Sequence, residues 1–398
     1  MRWYAAGASG KVSASDNRPF TVEITMLTTV TQTLIKPFAR DRFLHILLLL
    51  GVVLSLFQPE KIVQFPQFVD WSTIVTLIGL LMLTKGVEVS GYFDFVGRKM
   101  INTISNERYL ALFLVCAAAL LSTFMTNDVA LFIVIPLTIT LKKLSTLPVT
   151  RLIIFEALAV NAGSLLTPIG NPQNILLWHK SGLSFLAFIA QMAPLALVSL
   201  LALLVVTWLS FPATTLKRLK NNQGYPYQKR LLFSCLAMYV IFIGCVDTGV
   251  AVYGLLAVLL CFLLLARQVL LRIDWPLIVV FIAMFIDVRL IVGLGPIQGA
   301  VDQIGQLSSM GVYALGIALS QVISNVPATI LMINYVPANA LLAYSVNAGG
   351  FGLAIGSLAN LIALRMANDR KIWLTFHYYA FPFLALSGLA GWALLKLI

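Results

Sequence analysis

Charge is scarce in this sequence: only 11% of its 398 residues are Asp, Glu, Lys or Arg, where a soluble globular domain carries about a quarter. Histidine is rarer still, with three scattered residues, so the sequence shows no zinc or haem site. The four cysteines, Cys116, Cys235, Cys245 and Cys261, lie in or beside apolar segments without metal spacing. They read as packing residues and not as a disulfide frame. No GxxxxGKS/T phosphate loop occurs, and neither does an HExxH, Ser/His or paired catalytic Asp signature. ATP hydrolysis and intramembrane enzyme chemistry are therefore disfavoured, and the chain reads as a non-enzyme. Residues 1–25 lack the apolar core of a signal peptide. They read as a polar tail or as the product of an upstream start, with Met26 the alternative first residue.

What the chain has in abundance is apolar length. Hydrophobic residues make up 60% of it and its mean hydropathy is +0.94. Runs such as "FLHILLLLGVVLSLF" can be solvated only by lipid. The expected fold is all-α and polytopic, in the cell (inner) membrane with the bilayer as its main partner. Crossings are expected near 43–57, 71–96, 152–179, 183–211, 231–246, 249–266, 274–292, 341–364 and 373–396.

The net charge of +12 does not point to nucleic acid. Its basic residues cluster in short loops: Arg40 and Arg42, Arg98 and Lys99, Lys142 and Lys143, Lys217 to Lys220, Arg370 and Lys371. Basic short loops mark the cytoplasmic side of a membrane protein. Segments 109–141 and 312–337 are interrupted at their midpoints by "TND" and "SNVP". Basic residues flank the first at both ends, whereas Leu290 to Leu364 contains no Lys or Arg. Each segment is therefore expected to enter and return as a re-entrant hairpin, the first from the cytoplasm and the second from outside. The N-terminus is expected in the cytoplasm and the C-terminus outside.

Two copies of one pattern follow. "LLSTFMTNDVALFIVIP" (120–136) aligns with "ALSQVISNVPATILMIN" (318–334), and "NAGSLLTPIGNPQN" (161–174) with "NAGGFGLAIGSLAN" (347–360). The preceding crossings, "GLLMLTKGVEVSGYFD" and "FIAMFIDVRLIVGLG", both carry charge at membrane depth. The expected organisation is a tail (1–40), a first inverted repeat (41–212) with hairpin 109–141 and broken helix 152–179, and a basic loop (213–230). A second half (231–398) follows, with hairpin 312–337 and broken helix 341–364. Inverted repeats with interrupted helices are the signature of secondary transporters and place the site at the repeat interface.

Backbone unwound at membrane depth is tolerated only where it lines a protein-enclosed or watered cavity. Helix ends there offer amide N–H groups to an anion and carbonyls to Na⁺. The candidate ion- and substrate-binding residues are Thr126, Asn127, Asp128, Ser324 and Asn325 at the tips. In the broken helices they are Gly163, Ser164, Thr167, Gly170, Asn171, Asn174, Gly349, Gly350, Gly356, Ser357 and Asn360. The candidate Na⁺ positions are Asn127, Gly170, Asn325 and Gly356. Asp128 is the candidate for proton coupling, because a carboxylate at membrane depth generally has a function or a partner. No other cofactor or metal is expected.

The paired elements resemble those of the ion transporter superfamily, which includes arsenite efflux permeases, NhaD-type sodium/proton antiporters and divalent-anion/sodium symporters. "TNDVALFIVIPL" looks like the arsenite permeases' Asn-Asp element, and "NAGSLLTPIGNPQN" like the superfamily's Gly-rich loop. Within the superfamily the chain looks nearest the YbiR-like inner-membrane permeases, over nearly everything after about residue 40. The resemblance implies two tips and two broken helices enclosing a central substrate site flanked by cation sites. Thr126–Asn127 and Ser324–Asn325 match the symporters' Ser-Asn-Thr tips, with the third position changed to Asp128 and Val326. Losing both threonines weakens a dicarboxylate assignment; gaining a carboxylate strengthens proton coupling.

Other membrane-depth charges read as scaffold electrostatics. Lys85 and Glu88 are spaced to pair on one helix face, Asp287 and Arg289 face differently and are expected to pair elsewhere, and Glu156 has either a structural or a transport role. The expected function is an ion-coupled secondary transporter of a small anion, with Na⁺ or H⁺ as coupling ion. Sodium/proton antiport and arsenite/antimonite efflux are the alternatives, a channel is disfavoured, and the architecture admits a homodimer.

Overall fold

The computed structural model describes residues 36–93, 95, 104, 106–142, 147–215, 226–367, 369 and 371–397. The described residues form helices and their connections, with one isolated bridge between Asn106 and Thr215 and no strand. In chain order the principal helices are α1 (Arg42–Phe57), α2 (Trp71–Val89), α3 (Glu107–Phe124), α4 (Asn127–Lys142), α5 (Val149–Ser164), α6 (Pro172–Ser181), α7 (Phe185–Ser210) and α8 (Lys229–Asp247). They continue with α9 (Ala251–Leu265), α10 (Trp275–Val292), α11 (Ser309–Ile323), α12 (Asn325–Met332), α13 (Ala340–Ala348), α14 (Leu358–Met366) and α15 (Ile372–Leu395). Six of these, α2, α3, α7, α8, α10 and α15, are long and apolar enough to cross a membrane.

Many helices start on a polar cap that satisfies their first free amides. Asp41 accepts from the amides of Phe43 and Leu44, Asp70 from Thr73, and Asp274 from Leu277. The second crossing stops at Val89, shorter than expected, where Ser90 and Gly91 (φ 77°) turn the chain.

Two groups of helices are visible. In one, α1 packs on α10, and α2 packs on α8, α9 and α10. In the other, α5 is central and touches α3, α4, α7, α14 and α15. Every residue of α5 from Leu152 to Ser164 is buried, polar ones included. The hairpin arms cross between halves: α4 packs on α14, and α12 on α6. Each arm thus leans on the broken helix of the other half.

Several sequence expectations need correction. Asp287 is 3% exposed and among the described residues makes no ion pair, nor does its Oδ2 have a hydrogen-bond partner. It lies against Gly51, where an added Cβ would come within 2.7 Å of its Oδ1. Arg289 is exposed in the last turn of α10, so neither residue finds the expected partner among the described residues. Cys116 is exposed on α3 and packs nothing inside. Lys85 and Glu88 do pair, at 2.8 Å. The tail 1–25, Arg98, Lys99, Lys143, Lys217 to Lys220 and Arg370 lie outside the described residues.

Candidate functional site

Each hairpin turns at a polar pair. Met125 and Thr126 link α3 to α4, and Ser324 alone links α11 to α12. Thr126, Asn127, Asp128, Ser324 and Asn325 are all buried. Thr126 Oγ1, Asn127 Oδ1 and Ser324 Oγ are buried polar atoms with no hydrogen-bond partner among the described residues. Leaving such an atom unpaired costs about 1–3 kcal/mol. Ser324 also has φ 73° and ψ 156°, a region nearly restricted to glycine that costs of order 1–3 kcal/mol. Two unfavourable features therefore coincide at one tip residue.

The broken helices are tied together by reciprocal asparagines. Asn161 Nδ2 donates to Asn360 Oδ1 at 2.7 Å, and Asn347 Nδ2 donates to Asn174 Oδ1 at 2.7 Å. The first residue of each loop thus bonds the last residue of the other. Within each loop that last asparagine clamps the matched carbonyl: Asn174 Nδ2 bonds Ser164 O at 3.1 Å, and Asn360 Nδ2 bonds Gly350 O at 2.9 Å. Thr123 Oγ1 donates to Gly163 O at 3.0 Å, and Gln321, at the matched position, donates to Gly349 O at 2.6 Å. Asn171 caps α6 and donates to Asn347 Oδ1 at 3.1 Å, while Thr167 donates to the carbonyl of Thr123.

Glycine allows this closeness. A Cβ on Gly163 would stand 2.0 Å from Ala119 O, and one on Gly349 2.4 Å from Ser320 Cβ. At Gly350 it would meet the Asn325 amide nitrogen at 3.2 Å. At Gly170 the Ser164 and Ser122 carbonyls would lie 2.6 and 2.9 Å away; at the matched Gly356, Gly349 O and Gln321 Oε1 would lie at 2.8 and 3.3 Å. Each of these two matched glycines leaves a small cradle lined by oxygens.

Asp128 stands second in α4, so it does not cap the helix. It makes no ion pair among the described residues and lines two adjoining cavities, of about 550 and 560 Å³. Lys85 and Arg272 line one, Arg40 and Arg365 the other, and Asp274 both. Glu156 is fully buried elsewhere, between α5 and α4. Its Oε1 accepts from Thr138 and its Oε2 has no partner.

The structure brings the sequence-selected residues into two roles. Thr126, Asn127, Ser324 and Asn325 gather at the tips, with Asp128 beside a cavity. Asn171, Asn174, Asn360, Ser164 and Thr167 instead hold the loops in shape. Ser357 is the N-cap position of α14, without a side-chain cap bond. Asn161, Asn347, Thr123 and Gln321 lie outside the candidates named from the sequence, although they make the cross-links. Identity of Asn161 and Asn347 at the head of both loops was the available signal; Thr123 and Gln321 differ in type and gave none.

The profile described as a citrate transporter matches residues 38–341, through both hairpins and the first broken helix. The inner membrane protein YbiR of Escherichia coli is 56% identical over 366 residues, covering 91% of this chain and 98% of that protein. An uncharacterized transporter of Methanocaldococcus jannaschii is 31% identical over 332 residues, covering 82% and 90% respectively. One of Mycobacterium tuberculosis is 23% identical over 338 residues, covering 75% and 79%.

Proposed function

The chain belongs to the citrate transporter family, and from that premise, which outweighs the two tip threonines replaced by Asp128 and Val326, we propose that it moves a small organic oxyanion of the di- or tricarboxylate class by ion-coupled alternating access. The carrying observation is the pair of buried, unpartnered hydroxyls at matched tip positions, Thr126 Oγ1 and Ser324 Oγ, which can donate to an oxyanion, while the unpartnered Asn127 Oδ1 only accepts and suits a cation. A ligand that bonds these atoms offsets their desolvation cost, so binding and tip geometry are linked. Each tip also presents the amide end of a helix, α4 or α12, which favours an anion. The oxygen-lined cradles at Gly170 and Gly356 suit Na⁺, a hard cation that takes carbonyl oxygens.

The reciprocal asparagine bonds and crossed hairpin contacts support reading the two halves as inverted copies. With basic loops placed inside, the Asp128 cavities open to the cytoplasm and the C-terminus lies outside. A second reading, cation/proton antiport, is favoured by Asp128 alone. Its carboxylate sits at a tip, on the wall of a cavity, without a cationic partner.

A thermal-shift screen of oxyanions, with and without Na⁺ at two pH values, tests the assignment, since a ligand stabilises only the state it binds. A di- or tricarboxylate should raise the melting temperature, more so with Na⁺ or at lower pH. Stabilisation by Na⁺ and pH alone, with no anion effective, selects the antiport reading.

A further inference from the structure

At the end of the molecule away from Asp128 lies a smaller cavity of about 280 Å³, lined by Gln67, Asp70, Lys180, Arg289 and Asn334. Its charges are unequally engaged. Lys180 Nζ is 2.5 Å from Asp70 Oδ2. Arg289 is exposed on the last turn of α10 and makes no ion pair or hydrogen bond among the described residues. Tyr335 lies within electrostatic reach of both Arg289 and Asp302. Two cations thus face one carboxylate inside the cavity, in the neighbourhood of a 75-residue stretch, Leu290 to Leu364, that has no other Lys or Arg.

The cavity also has a direction. One wall is α12, whose first residue is the tip Asn325; Ile330, on that wall, is five residues further, roughly 8 Å along a helix. An opposite-end counterpart exists on the crossing aligned with α10, where Lys85 lines the Asp128 cavity. Lys85 is already paired with Glu88, whereas the Arg289 guanidinium keeps its donors open. A guanidinium offers a fork that matches carboxylate or phosphate oxygens bidentately.

We propose that Arg289 and Lys180 form an anion-capture subsite, which takes a carboxylate or similar oxyanion on its way to the tips. The bound oxyanion displaces Asp70 from Lys180. This rests on the transport reading above and adds where the anion is first held. Displacement also has a mechanical consequence. Asp70 caps α2, and Lys180 ends α6, the second half of the first broken helix. The neighbouring His179 Nε2 to Thr76 Oγ1 contact, 3.0 Å long, joins the same two helices. Releasing Lys180 leaves that contact as the one polar link between them among the described residues, so arrival of the anion loosens α6 against α2.

The local potential can be measured without knowing the substrate. Asn334→Cys, and separately Gln67→Cys, are placed in a background with the four native cysteines replaced, in phosphatidylcholine nanodiscs. Both positions are exposed in the cavity wall. Rates with an anionic sulfonatoethyl and a cationic trimethylammonioethyl methanethiosulfonate are each normalised to a free thiol. The anionic reagent should react about tenfold faster or more. Arg289→Gln should bring the ratio close to one, Arg289→Lys should largely restore it, and millimolar citrate should slow the anionic reagent preferentially. Equal rates at both positions, or a ratio unmoved by Arg289→Gln, overturn the subsite. So does a preference that vanishes in phosphatidylglycerol discs and ignores citrate in both lipids, which assigns Arg289 to lipid headgroups. Anion preference in a protein that carries no anion would retain the subsite and remove the transport reading; carboxylate transport with equal reagent rates would do the reverse.

Discussion

Ser324 concentrates the argument at the residue scale. Its hydroxyl is buried without a partner and its backbone is held at φ 73°. Ser324→Gly removes both features, so the protein should become more stable, by an amount of order 1–3 kcal/mol. The same change should weaken ion or anion binding, about tenfold for one lost hydrogen bond to a charged ligand. Thermal unfolding with and without ligand reads both; a variant that gains stability and binds normally removes Ser324 from the site. Asp128→Asn keeps the side-chain shape but cannot release a proton. It should lose accumulation driven by a pH gradient while retaining downhill exchange, and undiminished uphill transport would take Asp128 out of the mechanism. The tips were legible in the sequence because a polar triplet between apolar runs has no cheap place in lipid. The unpaired state of Arg289 and Asp287 was not, because spacing along one helix does not tell whether another helix supplies a partner.

At the element scale the broken helices depend on contacts that only glycine permits. Gly163→Ala places a methyl 2.0 Å from a backbone carbonyl that cannot swing aside. Folded protein should therefore be lost, as judged by size-exclusion profile, whereas Gly182→Ala meets no atom and strains only its own left-handed cap. Asn161→Ala and Asn347→Ala should each cost about 1–3 kcal/mol, because the partner amide is left buried and unpaired. Effects of similar size are expected, given the matched bonds. The Asp70–Lys180 link is weaker, since the Lys180 side chain is 49% exposed, and it should contribute no more than about 1 kcal/mol. Burial pushes the Asp70 carboxyl up, but Lys180 and the Thr73 amide together outweigh it and hold it below its usual 3.8. A depressed carboxylate stabilises the fold above its unfolded value and loses that contribution as pH falls through the folded one. Asp70→Asn should therefore lower the melting temperature slightly at neutral pH and not at all in strong acid. The breaks in the helices could be read from Gly, Pro and Asn placed inside apolar runs, and the turns at Thr126 and Ser324 from their polar residues. The use of Asn171 and Asn174 as clamps could not, because an amide that binds an ion and one that binds a carbonyl look alike in sequence.

For the whole molecule, the proposed cycle has two matched tips closing around one anion and its coupling ion, with access alternating between the basic and non-basic ends. Apolar length and charge placement made the membrane class and most helix bounds readable. Which helices cluster around α5 and which around α2 emerged only from packing, since both sets are equally apolar. Counterflow in proteoliposomes tests the account most directly: vesicles are loaded with an unlabelled di- or tricarboxylate, and labelled anion is added outside. The account predicts a transient overshoot of label in the native protein, abolished in Asn127→Ala and in Asn325→Ala at matched reconstitution. No overshoot with any carboxylate tried, or an overshoot equal in both variants, would contradict it.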